Sequence, residues 1–227
     1  MRESLDSLRV CTVYPGRSTT RGWFHDRRIS RLGAACVAIA GLLLGAHCSE
    51  SDPDDGGSRL AISMTTSPPA IGTTDIVWLD TARSEGNVLV VDILARDISN
   101  PFDRFTVEID TDPLVVEATA YTSGGQLETC TGLAVIPAFT VDAMGTIIVA
   151  ESLPGAAPPG CTVAGTRTLG SVTFRGIAQG STMPDFVPFN MDPNSPEGSR
   201  MERRTIVPPQ IPVQFFDGGA TIEVRRR

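Results

Sequence analysis

The segment GNVLVVDILARDISNPFDRFTVEIDTDPLVVEA, residues 86–118, decides the fold class of this chain. Apolar and polar residues alternate along it with a period of two, which is typical of half-buried antiparallel β-strands. The residues predicted to face the core are Leu89, Val91, Ile93 and Ala95 in a first strand, and Phe105, Val107 and Ile109 in a second.

The polar positions of the second strand are predicted to face solvent. They are Arg104, Thr106, Glu108 and Asp110. Ser99-Asn100-Pro101 forms a turn between the two strands, and Thr111-Asp112-Pro113 ends the second, because a proline fixes its own φ and restricts the residue before it.

The sequence on either side of this segment, from residue 60 to residue 224, predicts more short strands separated by Gly- and Pro-rich turns. The predicted strands lie at 60–64, 75–79, 115–121, 134–141, 146–150 and 169–177. Residues 185–204 are predicted to be a long polar insertion, and 211–216 with 220–224 a terminal hairpin around Asp217-Gly218-Gly219. Neither long helical periodicity nor an internal repeat is present. The pattern predicts an all-β fold, a single two-sheet antiparallel sandwich over residues 60–227.

Several core patterns resemble those of the cohesin domain family. The run FTVEIDTDPLVVEA is similar to a family pattern of an aromatic strand start followed by Asp-Pro and aliphatic residues, carried here by Phe105, Ile109, Asp112-Pro113-Leu114-Val115 and Glu117. GTIIVAE at 145–151 and LGSVTF at 169–174 resemble two later strands of that family. The resemblance implies a jelly-roll sandwich, shared with some carbohydrate-binding modules, and a non-catalytic module that holds a protein partner such as a dockerin through one sheet face.

The first 47 residues are predicted to be an export leader. Arg27, Arg28 and Arg31 precede an uncharged run from 32 to 46, which suits a signal-peptide core and is short for a membrane span. Cys48 and an acidic stretch follow, with residues 48–59 predicted to be a flexible tether. This order resembles a bacterial lipoprotein signal and predicts lipidation at Cys48, with His47 as a departure; plain secretion is the alternative.

Composition excludes several classes of function. The whole chain has a net charge of −7, and removing a leader that contains seven arginines makes the exported part more acidic, which argues against nucleic-acid binding. All basic residues are arginine, and both histidines, His25 and His47, lie in the leader. Without His or Lys, the exported part lacks histidine general bases, Ser-His and Cys-His nucleophile pairs, Schiff-base lysines and histidine metal ligands. An enzyme would have to use carboxylates, Tyr121 or arginine. We therefore expect no enzymatic activity and no cofactor.

Two cysteines remain beyond the leader junction. Cys130 and Cys161 are predicted to form a disulfide in an exported, oxidising setting.

The sequence leaves three kinds of functional site as alternatives. Exposed aromatic rings would bind polysaccharide, and Trp78 and Tyr121 are the candidates for such contacts. Oxygen ligands for calcium could come from Asp110 and Asp112, or from Asn190, Asp192, Asn194 and Glu197, although neither run has EF-hand spacing. Paired carboxylates for hydrolysis could come from Glu108, Asp110 and Glu117. The sequence thus predicts a protein-binding module at the cell envelope, with polysaccharide binding as the first alternative and a structural envelope domain as the second.

Overall fold

The computed structural model describes residues 59–190 and 197–227. The predicted leader, Cys48 and the tether up to residue 58 lie outside the described residues, as do Asp192 and Asn194. Within the described ranges, no helix combines the length and apolarity that a membrane span requires.

The domain consists of thirteen β-strands and one short helix. In chain order they are β1 Leu60–Thr65, β2 Ile76–Glu85, β3 Val88–Arg96, β4 Arg104–Asp110, β5 Val116–Ser123, α1 Gln126–Thr131, β6 Ile136–Val141, β7 Thr146–Ser152, β8 Thr166–Gly176, β9 Gly180–Thr182, β10 Asp185–Phe186, β11 Arg200–Glu202, β12 Gln214–Phe216 and β13 Thr221–Arg226. The predicted all-β fold is confirmed.

The strands form two five-stranded sheets and one three-stranded sheet. The back sheet has the order β12-β2-β3-β8-β5, and the front sheet has the order β10-β4-β7-β6, with β11 also paired to β4. The third sheet has the order β1-β13-β9. All pairs are antiparallel except β12 with β2, which run parallel. The third sheet and the parallel β12–β2 pair are departures from the predicted two-sheet antiparallel sandwich.

The core lies where the alternation of the opening segment placed it. Leu89, Val91, Ile93 and Ala95 are at most 1% exposed on β3, and so are Phe105, Val107 and Ile109 on β4. Apolar side chains of the back sheet and the front sheet meet here in one continuous cluster. Burial of side chains of this size contributes roughly 1.5–3 kcal/mol each relative to exposure.

The prediction that Thr106 and Glu108 face solvent is wrong. They are 6% and 8% exposed. Both side chains do point away from the core. However, β11 pairs with β4, so that Arg200 lies opposite Thr106. The Arg200 guanidinium also approaches the Glu108 carboxylate to 3.8 Å. Arg200 also lies over the Phe189 ring, with 5.7 Å to its centroid. Part of the predicted polar insertion is thus ordered: β10 and β11 extend the front sheet alongside β4, and the Arg200 side chain lies against Glu108.

The predicted terminal hairpin is also wrong. β12 pairs with β2 in the back sheet, whereas β13 pairs with β1 and β9 in the third sheet. Gly218 and Gly219 both have positive φ, near 60°, a conformation that glycine adopts without strain. The Asp217-Gly218-Gly219 turn is real, but it carries the chain from one sheet to another.

Helix α1 was not predicted. It is a six-residue helix that begins after Gly125 and ends at Gly132, both in the left-handed conformation. The predicted disulfide is confirmed: it joins Cys130 in this helix to Cys161, with the Cα atoms 5.7 Å apart. Cys161 also forms a β-bridge with Phe102, so the bond fixes the helix to a loop packed on the core.

Candidate binding face

The outward face of the front sheet carries an apolar strip. We use this name for Ile136 and Ala138 of β6 with Ile148 and Ala150 of β7. Ala138 lies opposite Ala150, and Thr140 lies opposite Ile148, in the β6–β7 register. The Ile136 side chain is 58% exposed, Ala138 is exposed, and the two β7 residues are half-buried. The four side chains form one continuous apolar surface across the two strands.

An acidic groove adjoins the apolar strip. It has a volume of about 430 Å³ and is lined by Glu108, Asp110, Asp142, Thr146, Ile148, Val187 and Glu197. All four charged residues in this lining are carboxylates. Ile148 belongs to both the groove and the strip, so the two features are continuous.

Local hydrogen bonds fix two of these acids. Asp110 Oδ1 accepts a hydrogen bond from the Thr146 hydroxyl at 2.7 Å. Asp142 Oδ1 accepts hydrogen bonds from the backbone N–H groups of Met144 and Thr146 at 2.8 and 2.9 Å. The turn after β6 and the β4–β7 pairing therefore hold the carboxylates in place.

A further carboxylate, that of Asp185, adds negative charge at this edge of the sheet. Asp185 of β10 lies directly opposite Asp110. Burial raises the pKa of Asp185, and the carboxylates of Asp217 and Asp110 raise it further. A cationic group brought to this edge would therefore be attracted.

A charged cluster closes the other end of the face. Arg104 Nε lies 2.6 Å from Glu202 Oε2, and Arg200 Nε lies 3.5 Å from the same oxygen. Both arginines are paired with acids, and Arg200 also borders the acidic groove, because it approaches Glu108 to 3.8 Å.

The two aromatic residues predicted as ligand contacts are in different surroundings. Trp78 is only 3% exposed, and the Arg96 guanidinium lies 4.9 Å from its ring centroid. Tyr121 is half-buried, and its hydroxyl donates a hydrogen bond to Glu151 Oε1 at 2.7 Å. Neither ring offers an open platform. Every aromatic side chain within 59–190 and 197–227 is buried or half-buried.

The carboxylates that the sequence offered for catalysis do not come together. Glu108 and Asp110 share the front sheet, but Glu117 lies on β5 of the back sheet, where its Oε2 accepts a hydrogen bond from Arg175 at 2.7 Å. Among the described residues, no group of three or more acid, cysteine or histidine side chains has the arrangement of a metal site.

The sequence could not show the face, because the strip and the groove combine three strands, β4, β6 and β7, with the turn after β6 and the segment around Val187 and Glu197. The individual strands were predicted, but nothing local indicates that 136–142 lies beside 146–150 with its apolar residues outward.

No protein-family model matches the sequence, and neither does any curated protein. Solved structures do match. A type II cohesin domain from the cellulosome of Acetivibrio cellulolyticus aligns with a TM-score of 0.48 and 16% identity, covering 65% of this chain and 95% of that one. The solution structure of CaCohA2 from Clostridium acetobutylicum gives 0.45 and 14%, covering 65% and 90%. A non-cellulosomal cohesin from Archaeoglobus fulgidus gives 0.40 and 13%, covering 62% and 84%. The chain is similar in structure to these cohesin modules, at scores that carry no residue's role across.

Proposed function

We propose that this protein is a non-catalytic binding module that takes a protein partner on the outward face of its front sheet. The observation that carries the proposal is the apolar strip beside the acidic groove. Protein interfaces typically combine an apolar centre with a charged rim, and the two parts are continuous here through Ile148. The cohesin-like core patterns of the sequence support the same class of function.

The charge of the groove narrows the kind of partner. Its charged lining residues are Glu108, Asp110, Asp142 and Glu197, so a partner surface with arginine or lysine beside an apolar centre is complementary. Such complementarity mainly raises the association rate and selects against acidic partners. We expect binding to weaken as salt increases.

Polysaccharide binding ranks lower because the aromatic residues do not form a platform. Trp78 is enclosed, and the Tyr121 hydroxyl is committed to Glu151. A structural envelope domain ranks lower as well, because such a role does not account for an acidic groove beside an apolar strip.

The location at the cell envelope is part of the proposal. It rests on the leader, on Cys48 and on the acidic tether, all of them features of the sequence. An exported module held by a lipid would present its binding face to partners outside the inner membrane.

The test is capture of a partner from an envelope extract by immobilised protein, followed by identification of the captured protein. We expect Ile136→Arg to reduce capture by at least about tenfold, since it places a charge in the apolar strip. The matched control is Val88→Arg on the back sheet, where the wild-type side chain is 38% exposed. It should leave capture unchanged.

Two results would contradict the proposal. One is equal loss of capture in both variants. The other is retention of the wild-type protein on cellulose, chitin or xylan together with no specific protein captured.

A further inference from the structure

A second hollow lies at the open side of the sandwich, between the edges of the two large sheets. It is a cavity of about 460 Å³ that we call the end cavity. β5 ends the back sheet and β6 ends the front sheet, and both contribute residues to the cavity lining. The volume is in the range of sites that enclose small ligands or single large side chains.

The lining of the end cavity is mostly apolar. Val116 and Ala118 come from β5, Val141 comes from β6, and Ile177 comes from the segment after β8. Val141 and Ile177 are each 42% exposed. Leu114 and Met144, 76% and 79% exposed, follow directly on lining residues in the sequence. Large apolar side chains thus concentrate at this end of the domain, which is a property of interaction sites.

Hydrogen bonds order the loops around the cavity. The Thr111 backbone N–H and hydroxyl both donate to the Gly145 carbonyl, at 3.2 and 3.0 Å. Gly145 has a φ of 90°, and a Cβ atom there would meet the Thr111 carbonyl oxygen at 2.3 Å. Ile177 donates its backbone N–H to the Val115 carbonyl at 2.9 Å. The cavity therefore has a fixed shape before any partner arrives.

The charges decide what kind of group fits. The two charged residues in the lining are both carboxylates: Asp142, and Glu117, whose Oε2 also pairs with Arg175 at 2.7 Å. Asp142 also lines the acidic groove, so the end cavity continues the candidate binding face around the edge of β6. A carboxylate rim around an apolar hollow is complementary to an apolar side chain flanked by basic residues.

We propose that the end cavity receives an apolar anchor residue from an extended peptide segment of the partner, with arginine or lysine on either side of the anchor. This rests on the proposed function, since it assigns the same partner a second point of attachment. The free edges of β5 and β6 flank the cavity, so the segment has strand backbone available for pairing on either side.

The experiment is an NMR titration of the exported protein carrying Cys48→Ser, with three synthetic peptides. The basic probe is acetyl-RTVLVTR-amide, the acidic match is acetyl-ETVLVTE-amide, and the polar match is acetyl-RTSSSTR-amide. We expect the basic probe to shift the signals of Val116, Val141 and Ile177, and to bind about 5- to 10-fold more tightly than the acidic match, as two exposed charge contacts allow. The polar match should cause no such shifts.

Variants separate the cavity from the rest of the surface. Ile177→Arg and Val141→Arg should each abolish the shifts, and both positions are exposed enough for the fold to persist, which thermal melting would check. Leu133→Arg, at a residue 36% exposed that does not line the cavity, should change nothing. Equal affinity for the basic and acidic probes, shifts located elsewhere, or an unaffected Ile177→Arg variant would overturn the inference.

Failure of the proposed function would look different. In that case Ile136→Arg would leave partner capture intact whatever the peptides did. If Ile136→Arg reduced capture while the basic probe failed to shift the cavity signals, the proposed binding face would be supported and the proposed anchor residue in the end cavity would be rejected.

Discussion

Glu151 is a carboxylic acid enclosed between the two large sheets. It lies on β7, is 0% exposed, and accepts a hydrogen bond from Tyr121 through Oε1. Its other oxygen, Oε2, is buried without a hydrogen-bond partner. Burial raises the pKa of Glu151 above its ordinary value, and the carboxylate of Glu128 raises it further. The folded protein therefore holds this proton more tightly than the unfolded chain does.

This predicts a pH dependence of stability with a definite sign. The contribution of Glu151 is fully present below the unfolded pKa, about 4.5, and is lost as pH rises through the higher pKa of the folded state. Relative to Glu151→Gln, we expect the wild type to lose free energy of unfolding as the pH rises above about 4.5, as measured by urea denaturation. The control is Glu117→Gln, an exposed acid on β5. A stability difference between the wild type and Glu151→Gln that does not change with pH would contradict the assignment.

The core positions of β4 give a second prediction at this scale. Phe105→Ala should cost about 3–5 kcal/mol and Ile109→Ala about 2–5 kcal/mol, because each leaves a cavity in a packed interior. If Thr106 were exposed, as its place in the alternation predicts, Thr106→Ala would cost under about 1 kcal/mol. Since it is covered, we now expect a larger cost than for Thr140→Ala, a threonine that is exposed on the same sheet. Equal midpoints for the two threonine variants in urea would show that the cover is absent in solution.

The contrast between Phe105 and Thr106 shows what the sequence could reveal about individual residues. Alternation along seven residues correctly separated core-facing from outward-facing side chains. It could not show that Arg200, far away in the chain, lies over the outward ones. Burial by a distant segment leaves no local pattern to read.

At the scale of elements, β11 is held in place by a buried acid. Asp103 is 0% exposed, and its Oδ1 lies 2.8 Å from Arg204 Nε, while its Oδ2 accepts the Arg204 backbone N–H at 3.0 Å. Arg203 approaches the same carboxylate to 3.7 Å. The link joins the start of β4 to the residues just after β11.

We therefore predict that Asp103→Ala destabilises the domain by about 3–5 kcal/mol, since it leaves two partly buried arginines without their acid. Hydrogen exchange should become faster in residues 197–204 before it does in β3. Asp92→Ala, a half-buried acid on the back sheet, is the comparison. Exchange that accelerates uniformly, with 197–204 no faster than β3, would argue against a local clamp.

The disulfide is the second element-scale constraint. Replacing Cys130 and Cys161 together by Ser should cost about 3–4 kcal/mol, the chain-entropy value for a separation of 31 residues. Thiol titration of the denatured, unreduced exported protein should find neither cysteine free. Two reactive thiols per chain would rule out the bond in the native protein.

Prediction from sequence was less successful for pairing than for strand existence. The strand at β2 and the two strands of the opening segment were recognised from their pattern. The terminal segments 211–216 and 220–224 were both expected to be strands in one hairpin, because a tight Gly-Gly turn joins them. The two strands belong to different sheets. Which strand each one pairs with depends on tertiary packing, which cannot be inferred from the sequence of a single segment.

At the scale of the whole molecule, the outstanding prediction concerns the anchor. We expect the native protein to begin at Cys48 and to carry acyl chains there, because basic, apolar, cysteine and acidic segments follow one another in the order of a lipoprotein signal. Intact mass of protein extracted with detergent would show the added chains, and Cys48→Ser should release the protein from the membrane fraction. An unmodified chain that starts at another residue would favour plain secretion.

The candidate binding site illustrates the limit of sequence reasoning at this scale. Composition argued against catalysis by histidine or lysine and indicated an acidic surface. The apolar strip, the acidic groove and the end cavity each combine residues from at least two strands or loops. They exist only once the sheets are assembled, and they could not be assigned to residues beforehand.

The pairing of β1 with β13 has a consequence for how the protein is made. Leu60 lies opposite Arg226, and the backbone N–H of Arg227 donates to the carbonyl of Arg59 at 2.8 Å. Among the described residues, β1 therefore has no paired strand until β13 is available, and such distant pairings form slowly. The three-stranded sheet can therefore form only once both ends of the domain are available, which would suit a chain that is exported before it folds.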